Sequence, residues 1–298
     1  MIPGILAGFA AALFQSLSYV ASRSFMNRHN SSVKLTILSL MASSIPAFLL
    51  LLVLHGRYTI PVSDWKAWCY LAGGITSLYL GQFSLFLANR HVEASRLSSL
   101  LGVKIIFLAL FCALFMGQTI TGLQWLGILL CSIAAVGMNY SGLRISMKAL
   151  LYLAMTLTGY IGSDLCIAEF VKCTSAENEF IRALAAVSME YALAGLLPVG
   201  LLFKIRCSPR EFIAASPFGL IWFAAMLVLF YSFTTIGVVY GSVLQAFRGI
   251  FSVIIGILLI RLHVFGHEPA VSRKDWFRRF IMAALMLLAL MCYSFGRN

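Results

Sequence analysis

Apolar stretches of about twenty residues follow one another from residue 3 to residue 295. Each is long enough to cross, as an α-helix, the roughly 30 Å of a bilayer's hydrocarbon core. That recurrence constrains the fold more than any motif. In lipid, backbone polar groups must be satisfied within helices or within a closed barrel. The alternating pattern of barrel strands is absent. The expected fold class is therefore all-α, a polytopic membrane protein. Composition agrees: 61% of the 298 residues are hydrophobic and 11% charged, where a soluble domain is nearer half and a quarter.

Ten transmembrane helices are expected, at about 3–26, 34–54, 66–89, 94–116, 120–141, 146–170, 178–203, 215–236, 240–262 and 275–295. Connectors such as "HVEA", "GQTITG" and "GVV" are so short that successive spans must be antiparallel neighbours. The opening "MIPGILAGFAAALFQSLSYV" lacks the basic start of a signal peptide and reads as the first span, with Gly4 and Gly8 spaced for close helix approach.

The chain also reads as two halves. At an offset of 144, "LFLANRHVEASRLSSLLGVKIIF" (85–107) aligns with "LFYSFTTIGVVYGSVLQAFRGIF" (229–251). Leu85/Leu229, Phe86/Phe230, Ser98/Ser242, Leu100/Leu244, Ile106/Ile250 and Phe107/Phe251 are identical, and Lys104 falls on Arg248. Two five-helix repeats are expected, 1–145 and 146–298. Five is odd, so the second is inverted.

Loop charge supports this. Fifteen of the 22 Lys and Arg lie on one set of loops: Arg23, Arg28 and Lys34; Arg90 and Arg96; Arg144 and Lys148; Lys204, Arg206 and Arg210; Arg261, Arg273, Lys274, Arg278 and Arg279. The opposite side holds Arg57, Lys66, Lys172, Arg182 and Arg297. The bias predicts a bacterial-type inner (cytoplasmic) membrane with both termini outside the cytoplasm. The net charge of +12 is thus an orientation signal, and no nucleic-acid motif accompanies it. "SRKDWFRRF" (272–280) reads as an anchor on anionic membrane lipid.

The segment "ASRLSSLLGVKIIFLALFCALFMGQTITGLQWLGILLCSIAAVGMNY" resembles the drug/metabolite transporter (DMT) superfamily, most closely its ten-span EamA-type members. Members run a small-residue fourth span into a glycine–acid turn, a Thr and a glycine-containing fifth span. Here Gln118 follows Gly117 where the acid usually stands, and Lys104-Ile105 lies near the usual proline. The resemblance implies alternating access around a cavity lined by spans 1, 3, 4, 6, 8 and 9. The sugar-phosphate translocators of that superfamily hold phosphate with cations on spans 4 and 9, where Lys104 and Arg248 stand.

Charges deep in a span are costly and mark function or pairing. Lys104, Arg248, Asp164 in "GYIGSDLCIAEF" and Glu190 in "AVSMEYALAGLL" are the four. One reading is two buried ion pairs. The other is that Lys104 and Arg248 bind an anionic group on a small-molecule substrate, while Asp164 or Glu190 balances charge or moves a proton. Gln15 and Tyr19 share a face of span 1 with Ser18 and Ser22. Tyr79 and Gln82 (span 3, with Phe83 and Phe86 alongside), Tyr160 (span 6), Tyr231 (span 8) and Gln245 (span 9) complete the candidate substrate-binding set.

No cofactor or metal is expected. The seven cysteines are scattered without a CxxC pair. His263, His267 and Glu268 stand around Gly266 and Pro269, which break a helix, so a solvated loop is the better reading. The expected function is secondary active transport of a small metabolite bearing a carboxylate or phosphate (an amino acid, other carboxylate or phosphorylated compound), with export favoured. The alternative is a flippase for a lipid-linked sugar or phospholipid. An enzyme is not expected, since no catalytic motif is present.

Overall fold

The computed structural model describes residues 1–61, 63–89, 91, 100–138, 146–201, 205, 207–261 and 273–296, without the side chains of residues 257, 259–261 and 273–276. Arg90, Arg96, Arg144, Lys204, Arg206, Arg297, His263, His267, Glu268 and the expected repeat boundary at 145/146 lie outside the described residues, as do the side chains of Arg261, Arg273 and Lys274.

The helices are α1 (Ile2–His29), α2 (Ser32–Val53), α3 (Trp65–Ala88), α4 (Lys104–Phe115), α5 (Gly122–Met138), α6 (Met147–Cys173), α7 (Glu179–Leu196), α8 (Pro209–Ile236), α9 (Val238–Gln245), α10 (Arg248–Arg261) and α11 (Arg273–Phe295). Together they make ten apolar spans. Spans one to eight are α1 to α8, span nine is α9 with α10, and span ten is α11. Among the described residues, eight helices are long and apolar enough to cross a membrane, and the described parts of spans four and five, Leu101–Phe115 and Gly122–Met138, are shorter. A two-residue ribbon joins two connectors on the face that carries the termini. In it, β1 (Tyr58–Thr59) pairs antiparallel with β2 (Ser175–Ala176).

Boundaries depart from expectation where local chemistry overrides hydropathy. α8 begins at Pro209 rather than 215. Ser208 Oγ accepts from the Glu211 N–H while Glu211 Oε2 accepts from the Ser208 N–H, a full capping box with proline in the first turn. Span seven stops being α-helical at Leu196 and tightens into a 3-10 turn, Leu197–Leu201. Pro198 lacks an N–H, so the carbonyl four residues back, Ala194, has no helical donor. The Tyr79 hydroxyl donates to it at 2.5 Å.

Span nine, expected as a continuous helix, is interrupted near its middle: Ala246–Phe247 separates α9 from α10, and the helix resumes on Arg248. In span four a 3-10 turn, Leu101–Val103, precedes α4, which begins on Lys104. Ser16 of α1 donates to the Arg248 carbonyl at 2.9 Å, tying the first span to the interruption in span nine.

Packing follows a regular scheme. α3 lies along α6, α1 along α8, α5 along α11, and α2 against α7 and α8. Exchanging spans five apart converts the α1–α8 contact into the α6–α3 contact and returns the 2–7 and 5–10 contacts to themselves. Small residues allow the closest approaches. A Cβ on Gly159 would stand 2.4 Å from the Gly81 backbone nitrogen, so α6 and α3 touch main chain to main chain. A Cβ on Gly8 would meet Leu244 at 2.6 Å, which bears out the expected close approach of the first span.

Candidate functional site

The four deep charges lie at one level. A helix rises 1.5 Å per residue. On that basis Lys104 lies about 16 Å from the end of α4 at Phe115 and Arg248 about 15 Å from the start of α9 at Val238. Asp164 is likewise about 14 Å from the end of α6 at Cys173 and Glu190 about 16 Å from the start of α7 at Glu179. All four ends are on the face that carries the termini. Half of a 30 Å hydrocarbon core is 15 Å, so the charges sit at mid-membrane.

Their partnerships are unequal. Lys104, 3% exposed, donates from Nζ to Asp164 Oδ2 and also to Gln245 Oε1 at 3.1 Å. Gln245 ends α9, on the far side of the break from Arg248. Arg248 is 4% exposed, and no carboxylate stands within ion-pair distance of it among the described residues. Its Nε has no hydrogen-bond partner there. The guanidinium acts electrostatically on Asp164, Lys104, Tyr19 and Tyr160, which places it in the same cluster. Glu190 accepts a hydrogen bond from Ser163 Oγ at 3.2 Å and makes no ion pair among the described residues. The expectation of two buried ion pairs is therefore corrected to one, Lys104–Asp164. Glu190 instead meets Ser163 of α6, and Asp164 is taken by Lys104, so among the described residues neither carboxylate comes within ion-pair distance of Arg248.

The neighbouring polar side chains form a shell. Gln15 is fully buried, and neither of its amide atoms has a hydrogen-bond partner among the described residues. The same holds for the buried Tyr19 and Tyr160 hydroxyls and Gln82 Oε1. Tyr160 stacks on Trp222 of α8 at 5.7 Å and Tyr19 meets the same indole edge-on at 6.0 Å. Trp222 Nε1 donates to the Tyr191 hydroxyl at 2.8 Å. Sequence reading missed Trp222, Tyr191 and Ser163. Apolar spans rich in Trp and Tyr give no signal of which ring faces inward.

Three expected members are drawn elsewhere. Tyr79 is committed to the Ala194 carbonyl. Tyr231 packs against Phe180 at 5.1 Å. Phe83 is partly exposed, while Phe86 is buried. The side chains of Gln15, Ser18, Tyr19 and Ser22 are all buried, as their helical spacing requires.

A cavity of about 790 Å³ opens on the face that carries the termini. Its wall includes Cys112, Gln118, Thr119, Glu169, Lys172 and Arg182. Ala168, one helical turn from Asp164 on α6, also lines it, while Lys104, Asp164, Glu190 and Arg248 are not among its lining residues. Lys172 and Glu169 pair at 2.5 Å on its rim. Among the described residues no group of three His, Cys, Asp or Glu is placed to hold a metal.

Residues 2–140 match the family model described as the EamA-like transporter family. No curated protein matches the chain. A solved structure, titled only as the crystal structure of a protein, superposes with a TM-score of 0.65 at 16% identity, covering 97% of this chain and 95% of that one. At that identity the likeness is one of fold, over nearly the whole length.

Proposed function

We propose, from the match of residues 2–140 to the EamA-like transporter family, that the protein moves a small organic metabolite bearing a carboxylate or phosphate across the cytoplasmic membrane. One observation carries the anionic character of the cargo. The mid-membrane group holds two cations, Lys104 and Arg248, and two carboxylates, of which Asp164 pairs with Lys104 and Glu190 takes the Ser163 hydroxyl, so that among the described residues the buried Arg248 guanidinium has no carboxylate within ion-pair distance. An unpaired charge at this depth costs at least about 2.5–3.5 kcal/mol, and an arriving anion offsets that cost. The fork of a guanidinium suits a carboxylate or phosphate.

Lys104 and Arg248 bind the anionic group. Gln15, Tyr19, Gln82, Tyr160 and Gln245 shape the space around it, with Trp222 as an aromatic wall. The substrate anion competes with Asp164 for Lys104, which links occupancy to the packing of α4 on α6. The interruption in span nine supplies a point of movement, and the packing scheme of the fold supports two inverted five-span repeats rocking about the site. By the loop charges, the cavity is the outward vestibule. Export is the direction that family analogy favours.

A thermal-shift screen of the purified protein against amino acids, other carboxylates, phosphorylated compounds and lipophilic cations tests this. Stabilisation should be confined to the anionic compounds and lost in Arg248→Gln and Lys104→Gln. Stabilisation by lipophilic cations that persists in both variants rejects the proposal.

A further inference from the structure

Two buried carboxylates stand at the same depth on adjoining helices, and their surroundings differ. Asp164 is held by Lys104. Glu190, 1% exposed, receives only the Ser163 hydroxyl, at 3.2 Å on Oε1, among the described residues. Every element packed on it bears this out. α6 presents Ser163, Asp164 and Cys166, and the charge that acts on Glu190 from there is that of Asp164, of like sign. On α7 itself the adjacent Tyr191 turns its hydroxyl to Trp222 of α8. α3 offers Gly74, where a Cβ would lie 3.6 Å from Glu190 Oε1, and α2 meets α7 through Leu40 and Ser44 at Gly195. None of these contacts brings a cation.

We infer that Glu190 is a proton-binding site, its carboxyl holding one proton in this conformation. A lone carboxylate in a low-dielectric interior, beside a second one, is relieved by taking up a proton. The ligand is H⁺ and not a metal cation. The site offers one carboxyl group and one hydroxyl, whereas hard cations take about six oxygens. Serine suits either state of the acid, since its hydroxyl donates to the carbonyl oxygen of the protonated form as well as to a carboxylate. The inference is independent of the role proposed for Arg248. Its consequence is that a cycle exposing Glu190 to the two faces in turn carries one proton across, which ties flux to the pH gradient.

Infrared difference spectra of the full-length protein in lipid nanodiscs at pH 7 read the proton directly and need no substrate. Wild type should show the carbonyl band of a buried protonated carboxyl that Glu190→Gln lacks. Ser163→Ala should keep the band and move it to higher frequency, because the carbonyl loses a hydrogen bond. That shift identifies the same group should Glu190→Gln fail to fold. A wild-type spectrum without the band, a band that survives in Glu190→Gln, or a band unmoved by Ser163→Ala overturns the inference.

Discussion

Lys104 and Arg248 share a depth, but only the lysine meets a carboxylate, so substitutions at the two should act in opposite directions. Lys104→Ala strands Asp164 in the interior, and breaking one half of a buried pair costs about 3–5 kcal/mol. A marked fall in unfolding temperature is expected, with most of it recovered in Lys104→Ala/Asp164→Ala. Arg248→Met removes a charge that has no ion-pair partner among the described residues and replaces it with apolar volume. Its unfolding temperature should equal or exceed that of wild type while anionic compounds no longer stabilise it. A large destabilisation by Arg248→Met would indicate that the guanidinium is a structural strut.

At the scale of the element, each departure from regular helix is answered by a neighbour. Pro198 ends the α-helical part of span seven and Tyr79 takes up the carbonyl it leaves. Tyr79→Phe should cost about 0.6 kcal/mol, the mean for interhelical hydrogen bonds in lipid, measurable as a modest loss of thermal stability with anion binding intact. The α3–α6 seam has less tolerance. Because a Cβ at Gly159 falls on the Gly81 backbone, Gly159→Ala forces the helices apart and should cost about 1–3 kcal/mol, the range for overpacking. Residues next to Gly159 on α6 carry Tyr160 and Asp164, so the same variant should also weaken anion binding.

Across the whole molecule, the vestibule and the termini share one face. In a background stripped of native cysteines, Thr119→Cys should react with a membrane-impermeant thiol reagent from that face alone. An anion found in the thermal-shift screen should change the rate of that reaction as the protein shifts between states. Labelling from the opposite face would reverse the topology. If proton and cargo move together, an imposed pH gradient should drive net flux of that anion in proteoliposomes. Glu190→Gln should retain exchange of labelled for unlabelled anion but lose the pH-driven component.

Hydropathy and loop charge alone determined the ten spans and the all-α class, because every backbone amide in lipid must be satisfied within its own helix and apolar length is set by bilayer thickness. The four deep charges were also legible, since so few residues in these spans are ionisable. What the chain could not specify locally was which charge meets which. Asp164 faces Lys104 rather than Arg248, and Glu190 faces a serine, because the rotation and packing of α4, α6, α7 and α10 set those distances. The interruption in span nine was equally hidden, since Ala246 and Phe247 are as apolar as the helices they separate. Only the tertiary structure places it, where Ser16 of α1 reaches the carbonyl of Arg248, the residue on which the helix resumes.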